Sequence, residues 1–401
     1  MYPNLRYAFY DIFGIDLPML GLVQSYGFFL ALAFFVSGTL LHLELKRREN
    51  LGMLKGIEES VKVGKPLSII DLAINGIIGF ILGFKGVYAI MNTDLFTGPD
   101  AKDALFSMAH GNWITGVLLA AGFVGWKYYE KKKELEEYPK PQVIKETVMP
   151  HQRVSDIVII SAVSGIFGAK MLYVVEYSTA QTFWEDLTSG SGLTVYGGLI
   201  FAFFVVSYYI HRKQIPLRQM LDVCSPALIM AYGIGRLGCH FSGDGDWGDP
   251  NLAPRPNWLS WLPDWMWAYR YPNNVINEGL ILDDCVYPDA FGDYCHVLAQ
   301  AVYPTAVWEF LMGSVIFLIL WSLRKRIKIH GLLFSVYLMF NGIERFMIEV
   351  IRVNDNYTVL GIRMTQSQAI AIVLFTIGLF FTVYLGRQQM QLKDKPDKLS
   401  E

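Results

Sequence analysis

Charge is scarce in this 401-residue chain, where Asp, Glu, Lys and Arg make up 17% of the residues, against about 25% in ordinary soluble domains. Neither sign dominates, since 34 Lys and Arg face 36 Asp and Glu for a net charge of −2. That balance excludes a basic nucleic-acid binder and an acidic disordered chain. Cysteine is scarce too: four are too few for a disulfide scaffold, and no pair has the spacing of a zinc ribbon. The first 22 residues lack the cationic stretch of a secretory signal and carry Asp11 and Asp16 instead.

What is abundant is apolar: 53% of the chain is hydrophobic and 14% aromatic. Length alone would allow two or three soluble domains, but the distribution forbids it. Residues 23–43, 189–210 and 364–386 each run without a Lys, Arg, Asp or Glu, long enough to cross a hydrocarbon core of about 30 Å. Six more segments qualify if an occasional internal charge is allowed: 68–92, 108–126, 154–176, 219–240, 303–323 and 331–351. The expected fold is therefore an all-α polytopic integral membrane protein with about nine transmembrane helices.

Lys and Arg then set the direction. Loops 44–67, 127–153, 211–218 and 324–330 and the tail 386–401 hold 24 of them, whereas 1–22, 93–112, 178–194, 241–302 and 352–366 hold 6. The N-terminus is expected outside and the C-terminus in the cytoplasm. Val23–Leu43 reads as a retained first helix, and residues 1–22 either lie in the interface or have no fixed structure. The long external loop 241–302 carries Trp247, Trp258, Trp261, Trp265 and Trp267, a residue type that favours the membrane–water boundary. It also holds Cys285 and Cys295, either paired or free.

A repeat runs through the outward helices. Asp71-x11-Gly83-x-Lys85-x2-Tyr88 returns 85 positions later as Asp156-x11-Gly168-x-Lys170-x2-Tyr173. A third helix carries Asp222 and, 14 residues on, Arg236, and the fourth runs 14 residues from Gly331 to Arg345. Fourteen helical residues rise roughly 21 Å, so four cations are expected at one depth. Glu309 joins them from an inward helix, roughly 9 Å below the outer face. Lys85 is expected to snorkel to the surface. The others, with an intramembrane carboxylate beside them, imply a polar cavity open to the outer leaflet. Cations gathered there suit a phosphate, and Arg suits it best because its planar fork binds two oxygens. Arg345, Glu349 and Arg352 are spaced i, i+4 and i+7, one face of a helix.

The strongest local motif is Gly233-Ile234-Gly235-Arg236-Leu237-Gly238-Cys239-His240, followed by a Gly-rich turn with Asp244 and Asp246 that ends in Trp247-Gly248. Read literally, Gly233, Gly235 and Gly238 form the dinucleotide fingerprint, but that fingerprint needs a strand before it and a helix after it. This segment ends a membrane span, so the nucleotide reading is rejected. What it offers is an arginine above which glycines let backbone N–H groups approach an anion, with His240, Asp244 or Asp246 able to accept a proton.

This segment resembles the signature of the prolipoprotein diacylglyceryl transferases, and the other landmarks follow in that family's order. Tyr26-Gly27 is similar to its Tyr-Gly, and Asp156…Gly168-x-Lys170-x2-Tyr173 to its second helix, with Lys where Arg is usual. Gly197-Gly198-Leu199-Ile200 is similar to its Gly-Gly motif. Tyr303-Pro304-Thr305-x-x-Trp308-Glu309 resembles its His-Pro-Ser/Thr-x-x-Tyr-Glu. Arg345-Phe346-x-x-Glu349-x-x-Arg352 is similar to its penultimate helix, and Thr365-Gln366-x-Gln368 to its last. The resemblance covers the first helix and everything from about 154 onward. It divides the chain into 1–67 (N-terminal segment and first helix), an inserted helix pair at 68–150, core segments at 154–240 and 303–386, the external loop 241–302, and a tail at 387–401. Three departures stand out: Tyr196 where the family commonly has His, Cys239 where it commonly has Asn, and an acidic turn one residue longer, so that Asp244 or Asp246 replaces the family's Glu.

The resemblance implies a bacterial inner-membrane enzyme with its site open to the periplasm. It would move the diacylglyceryl group of phosphatidylglycerol to the thiol of a prolipoprotein's lipobox cysteine. Arg236, Arg345, Glu309 and Glu349 would then be catalytic. Tyr26, Lys170, Tyr196, Gly197, Gly198, Cys239, His240, Asp244, Asp246, Gly248 and Arg352 would bind substrate. No metal or organic cofactor is called for, and no nucleic acid is a partner. Tyr196 is a poor base, with a pKa of about 10 in tyrosine generally, so Glu309, Glu349 and Asp244 stand open as the base, with His240 behind them. Two rival readings follow from the departures and the cations: a catalytically silent binder of phospholipid or lipoprotein, and a lipid or anion transporter. A transporter would carry an inverted repeat, whereas the repeat here runs in one direction.

Overall fold

A computed structural model describes residues 1–97, 104, 107–179, 181–188, 192–282, 294–354, 356–359 and 362–394. Its helices are α1 (Leu5–Phe13), α2 (Ser25–Asn50), α3 (Ile69–Met91, with a π-helical turn at Leu82–Val87), α4 (Thr93–Thr97), α5 (Trp113–Glu137), α6 (Val154–Tyr177), α7 (Phe183–Thr188), α8 (Val195–Arg212), α9 (Leu217–Ser242), α10 (Thr305–Leu323), α11 (Leu332–Glu349) and α12 (Gln366–Asp394). Three short antiparallel ribbons accompany them: β1 (Ile57–Val63) with β2 (Gln142–Val148), β3 (Leu280–Ile281) with β4 (His296–Val297), and β5 (Asn356–Val359) with β6 (Ile362–Thr365).

Among the described residues, seven helices are long and apolar enough to cross a membrane: α2, α3, α6, α8, α9, α10 and α12. Helices α5 and α11, the other two expected spans, have 25 and 18 residues but carry more charge. The protein is thus an all-α polytopic membrane protein. Helix α9 is the hub and packs on α2, α10 and α11, while α6 pairs with α8, α11 with α12, and α3 with α5. Lipid gives apolar faces no reason to leave it, so such pairs rely on close backbone approach at small residues. At the α6–α8 crossing a Cβ on Gly168 would lie 2.5 Å from the carbonyl oxygen of Gly197. The Gly-Gly motif is therefore where these two helices touch.

Two buried apolar clusters hold the bundle. One joins Leu41 and Leu45 of α2 to Val154, Ile157, Ile210, Met220 and Val223. The other joins Ile229 of α9 to Ile316, Leu320, Leu332, Leu333 and Val336. At the Lys/Arg-rich ends the charges are paired. Glu44 is buried between Arg47 (2.6 Å), Arg48 (3.1 Å) and Arg324 (3.0 Å). Asp222 caps the start of a neighbouring helix: its carboxylate accepts from the backbone N–H groups of Gly331 (2.8 Å) and Phe334 (2.9 Å) at the head of α11. The helix pair α3–α5 rises from the β1–β2 ribbon, which pairs Ile57 with Val148 through Val63 with Gln142.

Several expectations change here. Residues 1–22 are structured: α1 exposes Phe9, Ile12 and Phe13, as an interfacial helix does, and the N–H of Tyr2 donates to Phe241 O at 2.8 Å. That contact puts the N-terminal segment on the same side as loop 241–302. Trp247 is not an interface anchor but is buried against Tyr271, Leu298 and Val302, whereas Trp258 and Trp261 are exposed. Lys85 does not snorkel: its ammonium donates to the carbonyls of Ala104 (2.7 Å), Ser107 (2.5 Å) and His110 (2.7 Å) and so closes the loop after α4. Helix α11 ends at Glu349, so Arg352 lies beyond the helix, in a segment bridged to Gly248. Cys295 is disulfide-bonded, and Cys285 lies outside the described residues.

Candidate active site

The site is assembled where α9 ends. The helix stops at Gly243, whose left-handed φ of 66° turns the chain back on itself. Asp246 thereby returns to Arg236, three residues before the last turn of the same helix, and pairs with it. Beyond Asp246 the chain runs as an extended segment between two others. The N–H of Gly248 donates to Tyr303 O at 2.9 Å and that of Asp249 to Ile351 O at 2.8 Å. A Cβ at position 248 would sit 2.5 Å from Ile351 O, so only glycine fits between these backbones. The hydroxyl of Thr305 donates to the carbonyl of Asp246 at 3.0 Å, which fixes the turn to the head of α10.

Three arginines converge on two carboxylates. Glu309, fully buried one turn into α10, faces Arg236 Nε at 3.3 Å, Arg345 Nη1 at 3.0 Å and Arg352 Nη1 at 3.3 Å. Asp246 bridges Arg236 and Arg352. Arg345 also reaches Glu349 (3.2 Å) and the hydroxyl of Ser367 (3.1 Å), and Tyr196 joins the same Ser367 hydroxyl at 3.0 Å. Asn354 donates to Glu349 at 2.6 Å. The Nε of Arg352 is buried with no hydrogen-bond partner among the described residues. Burial opposes ionisation of Asp246, but Arg236 and Arg352 outweigh it and hold the carboxyl below its ordinary range. Asp244 goes the other way, raised by burial and then by the charge of Asp246.

Arg236, Arg345, Arg352, Glu309, Glu349 and Asp246 are thus one network, with Tyr196 at its edge. Tyr26 packs against Gly238, one turn before the end of α9. Cys239 sits 3.9 Å from Arg236 Nη1. Its sulfur and the carboxylates of Asp244 and Asp246 lie within 4.8 Å of one another. Two guanidiniums already occupy Asp246, so this donor set suits a cation poorly. Other expected residues are elsewhere. Lys170 stands over the ring of Tyr173, 5.5 Å from its centroid, and its charge is felt by Asp186 at α7. Of the four cations expected at one depth, Arg236 and Arg345 meet on Glu309, whereas Lys85 holds the carbonyls of Ala104, Ser107 and His110. Gly197 and Gly198 face α6. His240 is buried in an aromatic cage, stacked on Trp265 with centroids 5.6 Å apart and 3.1 Å from the hydroxyl of Tyr271.

Sequence reasoning missed Tyr232, Glu344 and Ser367. Tyr232 lies one helical turn before Arg236; its hydroxyl is 2.8 Å from Glu309 and 3.2 Å from Glu344. A signal for Glu344 was available, since an acid inside an apolar helix is a site candidate by default. Ser367 is the unspecified position in Thr365-Gln366-x-Gln368.

The profile of a family described as prolipoprotein diacylglyceryl transferase matches residues 115–384. The chain belongs to that family. The match begins inside α5, the second helix of the pair expected to be an insertion. A phosphatidylglycerol–prolipoprotein diacylglyceryl transferase of Corynebacterium glutamicum is 27% identical over 245 residues, 59% of this chain and 71% of the relative. One from Streptococcus uberis is 28% identical over 281 residues, 69% of this chain and 89% of the relative. One from Xylella fastidiosa is 26% identical over 239 residues, 56% and 75% respectively. Family membership makes this chain a membrane transferase. Every arginine and carboxylate of the network lies inside the matched region.

Proposed function

We propose that the protein transfers the diacylglyceryl group of phosphatidylglycerol to the lipobox cysteine of a prolipoprotein, forming a thioether and releasing glycerol phosphate. The relatives' names supply the two substrates. The observation that carries the reading is the convergence of Arg236, Arg345 and Arg352 on Glu309. A phosphodiester leaving group already has one charge and gains a second as its C–O bond breaks. Fixed guanidiniums in a low-dielectric site stabilise that growing charge, usually the largest single effect in such catalysis.

Asp246 supports this reading as a stand-in for the lipid phosphate. It is an anion held by two arginines. In the proposed cycle the phosphate takes its place between Arg236 and Arg352, and Arg345 binds a further oxygen. Tyr196, tied through Ser367 to Arg345, orients that guanidinium where the family commonly has His. His240 is bonded to Tyr271, so the thiol's proton goes instead to one of the site's carboxylates. We place the site toward the periplasm of a bacterial inner membrane, with nine spans, the N-terminus outside and the C-terminus inside. The 24-to-6 distribution of loop cations supports that direction. The boundaries at 68–150 and 241–302 belong to the same proposal.

The test is thioether formation on a lipobox peptide by the purified full chain in phosphatidylglycerol vesicles. Product from the intact protein and none from the double variant Arg236→Ala, Arg345→Ala supports the reading. Lipid binding without product would make the chain a silent binder, and phosphate-lipid flux without thioether would make it a transporter.

A further inference from the structure

One buried acid has no role in the scheme above. Glu344, on α11 beside Arg345, is 2% exposed. Among the described residues its only hydrogen-bond partner is the hydroxyl of Tyr232 (3.2 Å), and its second oxygen is buried without one. No ion pair to Glu344 occurs among the described residues, whereas Glu309, on the other side of the same hydroxyl, faces three arginines. Tyr232 thus stands between two carboxylates, 2.8 Å from Glu309 and 3.2 Å from Glu344. A phenol has one proton to donate. One hydroxyl is thus flanked by two acids, one held by cations and one not.

We infer that Glu309, Tyr232 and Glu344 form a proton relay that clears the substrate thiol's proton from the arginine network, an inference that rests on the transferase reading above. The thiol S–H bond breaks and Glu309 takes the proton. Tyr232 gives its hydroxyl proton to Glu344 and receives the one on Glu309. The thiolate's electron pair forms the S–C bond as the C–O bond to phosphate breaks, and that bond's electrons leave on the phosphate oxygen. The proton rests on Glu344 and returns to water by the same path after the products leave. Glu309 is an anion again. A proton left on Glu309 would break the pairs that keep the three guanidiniums in register. Glu344 has no such pairs to lose. Glu344 is therefore a positioning residue for the proton and does not touch substrate.

The full chain in phosphatidylglycerol vesicles is assayed with two lipobox peptides, one with cysteine and one with selenocysteine, whose selenol is already ionised at neutral pH. With the cysteine peptide, Glu344→Gln and Tyr232→Phe each lower kcat by about 10²-fold, the scale of a lost proton acceptor. The lipid KM stays within about threefold, because neither change removes a lipid contact. With the selenocysteine peptide both variants recover to within about threefold of the parent protein. A relay is overturned if both variants turn over the cysteine peptide like the parent. It is also overturned if the selenocysteine peptide is slowed as much as the cysteine one, since that is the mark of a structural role. If the parent protein forms no thioether, the transferase reading fails and the relay with it; parent turnover with unaffected variants removes the relay alone.

Discussion

Replacing Arg345 with lysine keeps the charge and removes the fork. Arg345 spans three partners at once: Glu309 at 3.0 Å, Glu349 at 3.2 Å and Ser367 at 3.1 Å. A lysine ammonium is a point charge on a flexible stem, and from the same Cα it can keep about one of the three. Two hydrogen bonds involving a charged group are lost, each worth about 1.5–3 kcal/mol. Part of that loss is already present in the ground state. What remains for the transition state is about 3 kcal/mol, near the 10²–10³-fold cost of deleting one donor to a developing oxyanion. Arg345→Lys is therefore expected to lower kcat/KM for thioether formation by about 10²-fold while the protein still folds, because Ser367 and Glu349 face a cation either way. The assay is the time course of peptide lipidation in phosphatidylglycerol vesicles, with monodispersity in detergent as the folding control. Activity within about threefold of the parent would show that charge alone suffices, and the argument from planar, two-oxygen binding would be wrong.

Three further outcomes follow from other parts of the site. Gly248→Ala forces a methyl into the Ile351 carbonyl at 2.5 Å, so thermal stability and turnover should fall together, as read by melting in detergent and by lipidation rate. Tyr196→Phe unties Ser367 and should cost about tenfold in rate, the worth of one modest hydrogen bond, while Tyr196→His should keep activity; a silent Tyr196→Phe would deny the hydroxyl any part in holding Arg345. The carboxyl of Asp244 is raised from 3.8 by burial and by Asp246, so the folded state binds that proton more tightly than the unfolded chain. Ionising Asp244 then opposes folding at neutral pH, and this cost disappears once the pH falls below about 3.8, where both states are protonated. Asp244→Asn should raise the melting temperature at pH 7 and leave it unchanged below that point; equal shifts at both would refute the sign.

Much of this was legible in the apolar runs. A span must bury every backbone polar group within its own helix, so length and apolarity locate helices with little tertiary help, and α2, α8, α9 and α12 lie near their expected positions. Helices α5 and α11 are harder to judge because their ends mix apolar with charged residues. Depth along a helix was a weaker guide, because it fixes height and not direction. Lys85 turns to the carbonyls of Ala104, Ser107 and His110 and Lys170 lies over the ring of Tyr173, and no spacing rule encodes those turns. The spacing of Arg352 suggested helix, yet the chain leaves the helix before it and the long side chain folds back. Tyr232 meets Glu309 and Glu344 only through the packing of α9 on α10 and α11, which no local spacing encodes.

The β1–β2 ribbon has a consequence for architecture. Ile57 and Val148 are register partners, so the chain leaves the bundle and rejoins it at adjacent points. That stem is tied to the body by Glu59, which pairs with Lys213 at 2.9 Å and with Arg153, and α4 makes a second attachment by packing on the turn at Pro18–Leu22. None of the site's arginines lies between the two strands, so the segment they bracket contributes no guanidinium to the network. The part of it before residue 115 lies outside the family match, so variation among relatives should concentrate there, between β1 and α5.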